Sequence, residues 1–254
     1  MIFDSHAHYD DESFDPDRNE LLLSLNKNGV DYIMNSGESV KSSLAGVELG
    51  KKYPFIYSAA GIHPEYAAET TDEDIRKIYS LAENEKKVMA VGEIGLDYHY
   101  GTTNKEKQRE LLKKQLAVAK ELDKPVIIHS RDAARECFDI IKESGVKNGV
   151  IHCFSSGADL AAEYVKLGFY IGIGGVVTYK NARKMAEVVE KIQLERILLE
   201  TDCPYLAPEP NRGKRNDSSM LRYVAEKIGE IKNLSVDTVY CETKRNALSM
   251  FRIL

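Results

Sequence analysis

A chain of 254 residues that is 43% hydrophobic and 30% charged is long enough to bury a large core. Its formal net charge of −5 excludes a generally basic surface, so any contact with nucleic acid must depend on a local basic patch. The beginning of the chain is acidic and has no long apolar run, so we expect neither a signal peptide nor a membrane anchor, and we expect a cytoplasmic protein. The cysteines form no CxxC pair, which argues against a disulfide framework and against a thiolate zinc site.

Short apolar stretches rich in β-branched residues alternate with charged stretches of helical periodicity. Asn104–Leu122 and Asn181–Ile192 are amphipathic examples of the second kind, and Asp217–Ile231 and Ser235–Phe251 are predicted helices at the end of the chain. Eight of the short stretches are predicted strands: Ile2–Ser5, Asp31–Asn35, Phe55–Ala60, Val88–Gly92, Val126–His129, Gly149–His152, Tyr170–Ile173 and Ile197–Glu200.

The strict alternation of strands and helices predicts right-handed crossovers and a parallel sheet. Eight repeats in a chain of this length favour a closed barrel over an open sheet. We therefore predict an α/β fold, a TIM (β/α)8 barrel of eight parallel strands with additional C-terminal helices. The chain contains no linker, internal repeat or low-complexity tract, so residues 1–254 are expected to form a single domain.

Two histidines separated by one residue follow the first predicted strand. Side chains two positions apart on a strand point to the same face, so Asp4, His6 and His8 are predicted to share one face. Two neighbouring imidazoles can bind one divalent cation, and a nearby carboxylate such as Asp4 could accept a ring N–H and fix the tautomer. Alone, this pattern recurs by chance in proteins that bind no metal, so the other histidines decide its meaning.

All six histidines of the chain lie at or just beyond the carboxyl end of a predicted strand: His6, His8, His63, His99, His129 and His152. Barrel enzymes build their active sites at this rim, with residues from several strands. His129 and His152 end two consecutive predicted strands in similar apolar surroundings. Either one alone would more often be a buried core residue, but together they form a second candidate ligand pair.

Carboxylates complete the candidate metal site. Glu93 follows one apolar strand, and Glu200 and Asp202 follow another, where a buried carboxylate is costly unless it is paired or binds metal. A salt bridge across the barrel mouth is the simpler role for Glu93, and a turn or a hydrogen-bond acceptor is the simpler role for Asp97. Two imidazole pairs with Glu93 and Asp202 are nevertheless enough ligands for two divalent cations that share a carboxylate. The nitrogen ligands favour Zn²⁺ or Mn²⁺, and the carboxylates also accept Mg²⁺.

The ordered motifs FDSHAH, VGEIGLDYH, PVIIHSRDA, GVIHCFSSG and LLETDCPYLAP resemble the TatD family of metal-dependent deoxyribonucleases, within the amidohydrolase-like barrels. The resemblance spans nearly the whole chain. It implies that one ion is held by His6, His8, Glu93 and Asp202, and that the other is held by Glu93, His129 and His152.

The resemblance also assigns a substrate-facing residue and shows two departures. The family's Gly-Ile-His-Pro segment matches here, which implies that His63 faces the substrate rather than the ions. Cys203 stands where relatives usually carry serine, and His99 where they usually carry an aromatic residue. Neither position is a ligand, so these departures bear on specificity rather than on metal binding.

The mechanism that this ligand set supports is hydrolysis by a metal-bridging hydroxide. Asp202 would accept the proton of water and later pass it to the leaving group, while the shared Glu93 would hold both ions. Cationic side chains on rim loops would bind the phosphates, and the candidates are Arg131, Lys180, Arg212, Lys214 and Arg215. The simpler role for the loop that contains the last three is a solvated surface turn.

Three functions remain open at the level of sequence. The first is a phosphodiesterase that shortens single-stranded or frayed DNA from a 3′ end, which suits an acidic surface with a compact basic loop. The second is a deacylase or amidase acting on an aminoacyl-tRNA ester or a small metabolite, since fold does not determine substrate. The third is a binding protein without catalysis, which the complete ligand set disfavours. No feature of the sequence indicates an obligate protein partner or determines the oligomeric state.

Overall fold

The computed structural model describes residues 1–99, 101 and 104–253, in which eight strands alternate with helices. The strands are β1 Ile2–Ala7, β2 Val30–Ser36, β3 Ile56–Ala60, β4 Val88–Asp97, β5 Val126–Arg131, β6 Gly149–Ile151, β7 Tyr170–Ile173 and β8 Ile197–Leu199. The helices are α1 Arg18–Lys27, α2 Val40–Lys52, α3 Asp72–Asn84, α4 Lys105–Glu121, α5 Ala134–Ser144, α6 Ala158–Lys166, α7 Arg183–Lys191, α8 Leu221–Lys232 and α9 Val236–Met250.

The eight strands form one parallel sheet in which every strand pairs with the next strand along the chain, in the order β1 to β8. Each crossover between parallel neighbours contains a helix, and the helices pack around the outside of the sheet. The predicted TIM barrel is therefore confirmed. The largest difference in a strand boundary is at β4, which continues beyond the predicted end at Gly92 to Asp97, so Asp97 belongs to the strand and not to the following loop.

The barrel closes between β1 and the segment after β8. Backbone hydrogen bonds join Asp202 N to His6 O at 3.0 Å and His8 N to Cys203 O at 2.9 Å. The hydroxyl of Ser5 donates to the carbonyl of Leu199 at 2.9 Å. These bonds bring the end of β1 beside the residues that follow β8, so the two halves of one candidate ligand set come from opposite ends of the chain.

Asp4 stabilises this closure and does not contact a histidine ring. Its fully buried carboxylate accepts hydrogen bonds from Thr201 N at 3.0 Å, Thr201 Oγ1 at 2.6 Å and Ser218 Oγ at 2.6 Å. Burial raises the pKa of Asp4 to about 6 in spite of these bonds. The predicted interaction of Asp4 with a ring N–H is therefore wrong, because the bonds that close the barrel use its oxygens.

The C-terminal helices begin where local capping allows. Ser235 Oγ accepts the N–H of Thr238 at 3.1 Å, so α9 starts directly after the predicted N-cap. The preceding predicted helix starts later than expected: Asp217 caps a short 3₁₀ turn, and α8 begins only at Leu221. Among the described residues, no helix combines the length and the apolar character needed to cross a membrane.

Apolar side chains fill the amino end of the barrel. Inward-facing residues from most strands form this layer. Phe251, directly after α9, covers it, and its ring stacks on Phe3 with centroids 5.7 Å apart. The members of the layer include Phe3, Met34, Ala59, Ala90, Ile127, Val150 and Leu198. A closed amino end leaves the carboxyl ends of the strands as the open mouth of the barrel.

Candidate metal centre

The six predicted ligands converge at the carboxyl end of the barrel. Each lies on or directly after a strand: His6 and His8 at β1, Glu93 on β4, His129 on β5, His152 after β6 and Asp202 after β8. Among the described residues, donor atoms lie within 4.8 Å of one another in three groups drawn from His6, His8, Glu93, His129, His152 and Asp202, and in a further group of His63, Asp97 and His129.

Glu93 lies at the centre of this cluster and faces both histidine pairs. Its Oε2 is 3.2 Å from His6 Nε2 and 3.7 Å from His8 Nε2. Its Oε1 is 2.9 Å from His129 Nδ1 and 2.8 Å from His152 Nε2. One carboxylate therefore offers a different oxygen to each pair, which is the geometry of a shared ligand.

The first pair is completed by Asp202. The Nε2 atoms of His6 and His8 are 3.0 Å apart, and Asp202 Oδ1 is 3.6 Å from the first and 3.3 Å from the second. Ligand atoms about 2.1 Å from a common cation lie roughly 3.0–3.5 Å from one another. The observed separations fit a divalent cation enclosed by these side chains.

Ser36, at the end of β2, orients both histidines of the first pair. Its carbonyl accepts the Nδ1–H of His8 at 3.0 Å, and its hydroxyl hydrogen-bonds to Nδ1 of His6 at 3.1 Å. Both Nε2 atoms are thereby directed toward the cluster. Sequence analysis missed Ser36, and the only signal for it was its position at the end of a predicted strand.

The second pair consists of His129 and His152, whose Nδ1 and Nε2 atoms are 3.3 Å apart. His129 Nε2 donates to Asp97 Oδ2 at 3.0 Å, so the predicted acceptor role of Asp97 matches the observed contact. A carboxylate that receives the far N–H of a histidine fixes its tautomer and makes the ring a better metal ligand.

Glu200 lies behind His152 and is fully buried. Its Oε1 accepts the N–H of Cys153 and lies 3.9 Å from His152 Nδ1. Within the described part of the chain, Glu200 Oε2 and His152 Nδ1 have no hydrogen-bond partner. Burial raises the pKa of Glu200 to about 8. A Cβ atom at Gly172 on β7 would come within 2.3 Å of Glu200 Oε2, so a glycine at that position makes room for this carboxyl group.

The charges of the cluster are strongly coupled. Burial would raise the pKa of Glu93, but the neighbouring His152 and His6 hold it well below its usual range. Burial would lower the pKa of His8, but Asp202 and Glu38 raise it to about 10. For His129 the opposing partners are Asp97 and Glu93, which raise its pKa to about 9. Glu93 and Asp202 are therefore ionised at neutral pH, and their charges, with those of Glu38 and Asp97, favour the protonated forms of His8 and His129.

His63 lies beside the second pair and is directed by its own loop. Its Nδ1 accepts the N–H of Glu65 at 3.2 Å, so in the neutral ring the proton is on Nε2, which lies 3.9 Å from Glu93 Oε1. Burial lowers the pKa of His63 to about 4, which keeps the ring neutral. His63 therefore presents an N–H donor rather than a lone pair to the cluster.

A cavity of about 390 Å³ opens above the cluster. Of the predicted substrate-binding residues, His63 and Arg131 line it. Lys180, Arg212, Lys214 and Arg215 are not among the residues that line it. The described part of the lining consists of His8, Glu38, His63, Glu93, His129, Ser130, Arg131, His152, Cys153, Ser155, Val176, Asp202, Tyr205 and Leu206.

Two of the predicted substrate-binding arginines have partners on the protein surface. The Arg215 guanidinium forms two hydrogen bonds with Asp17, at 2.8 and 2.5 Å. Arg212 lies over the ring of Tyr179, with its guanidinium carbon 4.5 Å from the centroid. The predicted contact of this loop with phosphate stays a prediction.

A parallel barrel that gathers histidines and carboxylates at its carboxyl end defines a class of metal-dependent barrel enzymes. The family model described as "TatD related DNase" matches residues 3–252, and the chain belongs to the TatD family. It is a metal-dependent hydrolase of that family.

Relatives and solved structures agree with this assignment over the full chain. The chain is 43% identical over 255 residues to the uncharacterized metal-dependent hydrolase YabD of Bacillus subtilis, with 100% of each chain covered. It is 34% identical to the uncharacterized metal-dependent hydrolase YcfH of Escherichia coli K12, with 100% of this chain and 96% of the relative covered. The crystal structure of YjjV, a TatD homologue from E. coli K12, superposes with a TM-score of 0.93 at 30% identity, covering 100% and 98% of the two chains.

Proposed function

We propose that the chain is a deoxyribonuclease that hydrolyses terminal phosphodiester bonds of single-stranded or frayed DNA from the 3′ end with two divalent cations. The observation that carries the proposal is Glu93, which turns one oxygen toward each histidine pair. The family description as a DNase supports DNA as the substrate. We also propose the cytoplasm as the place of action.

When bound, the two cations would polarise the phosphoryl group and make water a better nucleophile near neutral pH. The first ion would be held by His6, His8, Glu93 and Asp202, and the second by Glu93, His129 and His152. The carboxylates remain ionised because the neighbouring histidines hold the pKa values of Glu93 and Asp202 low against the effect of burial.

Asp202 is the residue that moves the proton. Its side chain is 18% exposed, compared with 3% for Glu93, so it can reach both the attacking water and the leaving oxygen. Asp202 accepts a proton from water as the new P–O bond forms, and it returns that proton to the alcohol that leaves as the old P–O bond breaks. No net proton is gained or lost by the side chain in this exchange.

His63 and Arg131 bind the phosphoryl group from the side of the second pair. The Nε2–H of the neutral His63 is a donor for a non-bridging oxygen, and the Arg131 guanidinium lines the same cavity. We expect His63→Ala to lower turnover while metal content is unchanged. The lone pair of His63 Nδ1 accepts the N–H of Glu65, so the neutral ring has no lone pair left with which to bind a cation.

A second candidate function is hydrolysis of an aminoacyl ester or a related amide. The observation that favours it is the charge of the cavity, because within the described lining Arg131 is the only lysine or arginine while Glu38, Glu93 and Asp202 are acidic. A substrate with few phosphates would meet less repulsion there than a long strand.

The test is hydrolysis of an end-labelled single-stranded oligonucleotide, beside an aminoacyl ester, by metal-stripped protein refilled with Mg²⁺, Mn²⁺ or Zn²⁺. We expect a ladder that shortens from the 3′ end in the refilled protein and no products in the stripped protein. Asp202→Asn should abolish the ladder, whereas Glu242→Gln, on the outer helix α9, should not. Intact DNA together with a cleaved ester would replace the nuclease proposal by the second candidate.

A further inference from the structure

The cavity above the metal cluster has two chemically different walls. Loops that follow β8 and β2 supply Tyr205, Leu206 and Glu38, whereas the end of β5 and the loop that follows β6 supply Arg131 and Ser155. Because the strands run around the barrel in the order β1 to β8 and the end of β1 joins the segment after β8, these two groups of loops face each other across the mouth. One wall is apolar and acidic, and the opposite wall is cationic and hydroxylated.

Tyr205 presents an exposed ring at a fixed position on the first wall. The residue is 54% exposed, and Leu206 beside it is 36% exposed, although both line the cavity. Tyr205 N donates to the carbonyl of Asp202 at 2.9 Å, and Tyr205 OH donates to Asp11 Oδ2 at 3.2 Å. These two bonds hold the ring near the metal cluster, where a flat ligand can stack on it.

Glu38 supplies the charge of the same wall. Its backbone is held on both sides, because its carbonyl accepts the N–H of His63 at 2.8 Å and its N–H donates to Ser42 Oγ at 3.3 Å. Within the described residues its carboxylate forms no ion pair with a lysine or arginine. Burial raises the pKa of Glu38 to about 7, so part of this carboxyl group is ionised at neutral pH. The ionised form would repel a phosphate and attract an amino group on a planar ring.

We infer that Tyr205, Leu206 and Glu38 form a subsite for the terminal nucleobase of the strand. The base stacks on the Tyr205 ring, the Glu38 carboxylate accepts a hydrogen bond from an exocyclic amine, and the remaining phosphates run toward Arg131. This inference rests on the proposed nuclease function. It also gives the substrate a direction across the mouth, because only one of the two walls attracts phosphate.

The stacking contact is tested with two oligonucleotides that differ only at the 3′ end, where one carries cytidine and the other an abasic residue. We expect the wild-type protein to cleave the cytidine end with a kcat/KM about tenfold higher than that of the abasic end. The difference should lie mainly in a lower KM, since stacking of a base on an aromatic side chain strengthens binding by about this factor. Tyr205→Ala should abolish the preference, and Tyr205→Phe, which keeps the ring, should keep most of it. Tyr79→Ala, on the outer helix α3, is the matched control and should keep the full preference.

Loss of rate by the same factor on both strands in Tyr205→Ala would show that the ring shapes the metal centre, and it would overturn the subsite. Equal kcat/KM for both strands in the wild type would overturn it as well. If neither strand is cleaved, the nuclease proposal fails, and calorimetric binding of deoxycytidine monophosphate against deoxyribose 5-phosphate still tests the subsite. Tighter binding of the nucleotide that disappears in Tyr205→Ala supports the subsite, and equal binding overturns it.

The role of Glu38 is tested by the identity of the terminal base. Cytosine offers an amine to the carboxylate, whereas thymine places a carbonyl oxygen at the same position. Glu38→Gln should therefore reduce the preference for a terminal cytidine over a terminal thymidine several-fold, because an amide can donate to that carbonyl. An unchanged ratio, or an equal loss on both strands together with a loss of bound metal, would assign Glu38 to the metal centre instead.

Discussion

The two ends of the barrel carry opposite chemistry on the same strands. Ile127 and Val150 lie in the apolar layer at the amino end, and His129 and His152, two residues further along each chain segment, lie in the metal cluster. At the end of β8 the same step leads from Leu198 to Glu200, which directly follows the strand. Residues two apart on a strand face the same side, so both members of each pair point into the barrel.

This contrast separates stability from activity within one barrel. The amino end buries large apolar side chains beneath α9, which favours folding without any polar partner. The carboxyl end buries His6, Glu93 and Glu200, whose removal from water costs free energy. Apolar side chains of similar volume at these positions would give an equal or higher free energy of unfolding. Substitutions at the amino end should therefore lower stability, and substitutions at the carboxyl end should lower metal binding and activity.

The largest expected effect is at the shared carboxylate. Glu93→Ala should remove both proposed cations and lower hydrolysis by about a thousandfold or more, because the cations supply several kcal/mol of the transition-state stabilisation. The free energy of unfolding of the metal-free protein should change little. Elemental analysis, initial rates and denaturant unfolding measure the three quantities, and a variant with full metal content and rate would refute the shared-ligand arrangement.

The opposite pattern is expected at the amino end. Phe251→Ala should lower the free energy of unfolding by about 3–5 kcal/mol, because it leaves a cavity beneath α9 where the ring now stacks on Phe3. Metal content and kcat should stay close to wild type at temperatures where the variant is folded. Phe251→Leu is the control and should recover most of the stability. A loss of bound metal in folded Phe251→Ala would show that the two ends are coupled.

Contacts that depend on local periodicity were predictable from the sequence. The eight strands follow from short apolar stretches, and the placement of His6, His129 and His152 follows from their position at the ends of those stretches. The family motifs then imply the partition into two ligand sets. The strands and the placement of these histidines need only residue order and the rule that barrel strands present their carboxyl ends together, whereas the partition rests on the family resemblance.

Contacts that depend on packing between distant segments were not predictable. Ser36 orients two histidines from a separate strand, and Asp4 binds Thr201, which lies 197 residues away, instead of a histidine ring. Arg215 pairs with Asp17, which local composition does not reveal. Hydrogen bonds of this kind depend on the register of neighbouring strands and on loop conformation, neither of which has a local sequence signal.

A smaller effect is expected from the buried carboxyl group behind the second histidine pair. Glu200→Ala should weaken binding at the site of Glu93, His129 and His152 by about 10- to 100-fold, because it removes the carboxyl group that faces His152 Nδ1 at 3.9 Å and that is placed to receive its N–H once Nε2 binds a cation. Binding at the first pair should be retained, so limiting metal should give one ion per chain instead of two. Glu195→Ala, at an exposed position before β8, is the matched control. Equal weakening at both sites would indicate a general distortion of the cluster.

The last prediction concerns pH and needs no substitution; its effect is about tenfold per pH unit. With the pKa of His8 raised to about 10 and that of His129 raised to about 9, both rings hold a proton at neutral pH that a cation must displace. Lowering the pH strengthens this competition, so the apparent affinity at each site should fall by about tenfold per pH unit for each proton released. Calorimetric titration with Mn²⁺ between pH 6 and 8, repeated in buffers of different ionisation enthalpy, measures both the slope and the proton count. An affinity for Mn²⁺ that does not change with pH, with no proton release, would mean that His8 and His129 carry no displaceable proton at neutral pH. The interaction between their charges and the neighbouring carboxylates, which distinguishes this end of the barrel from the apolar end, would then be absent.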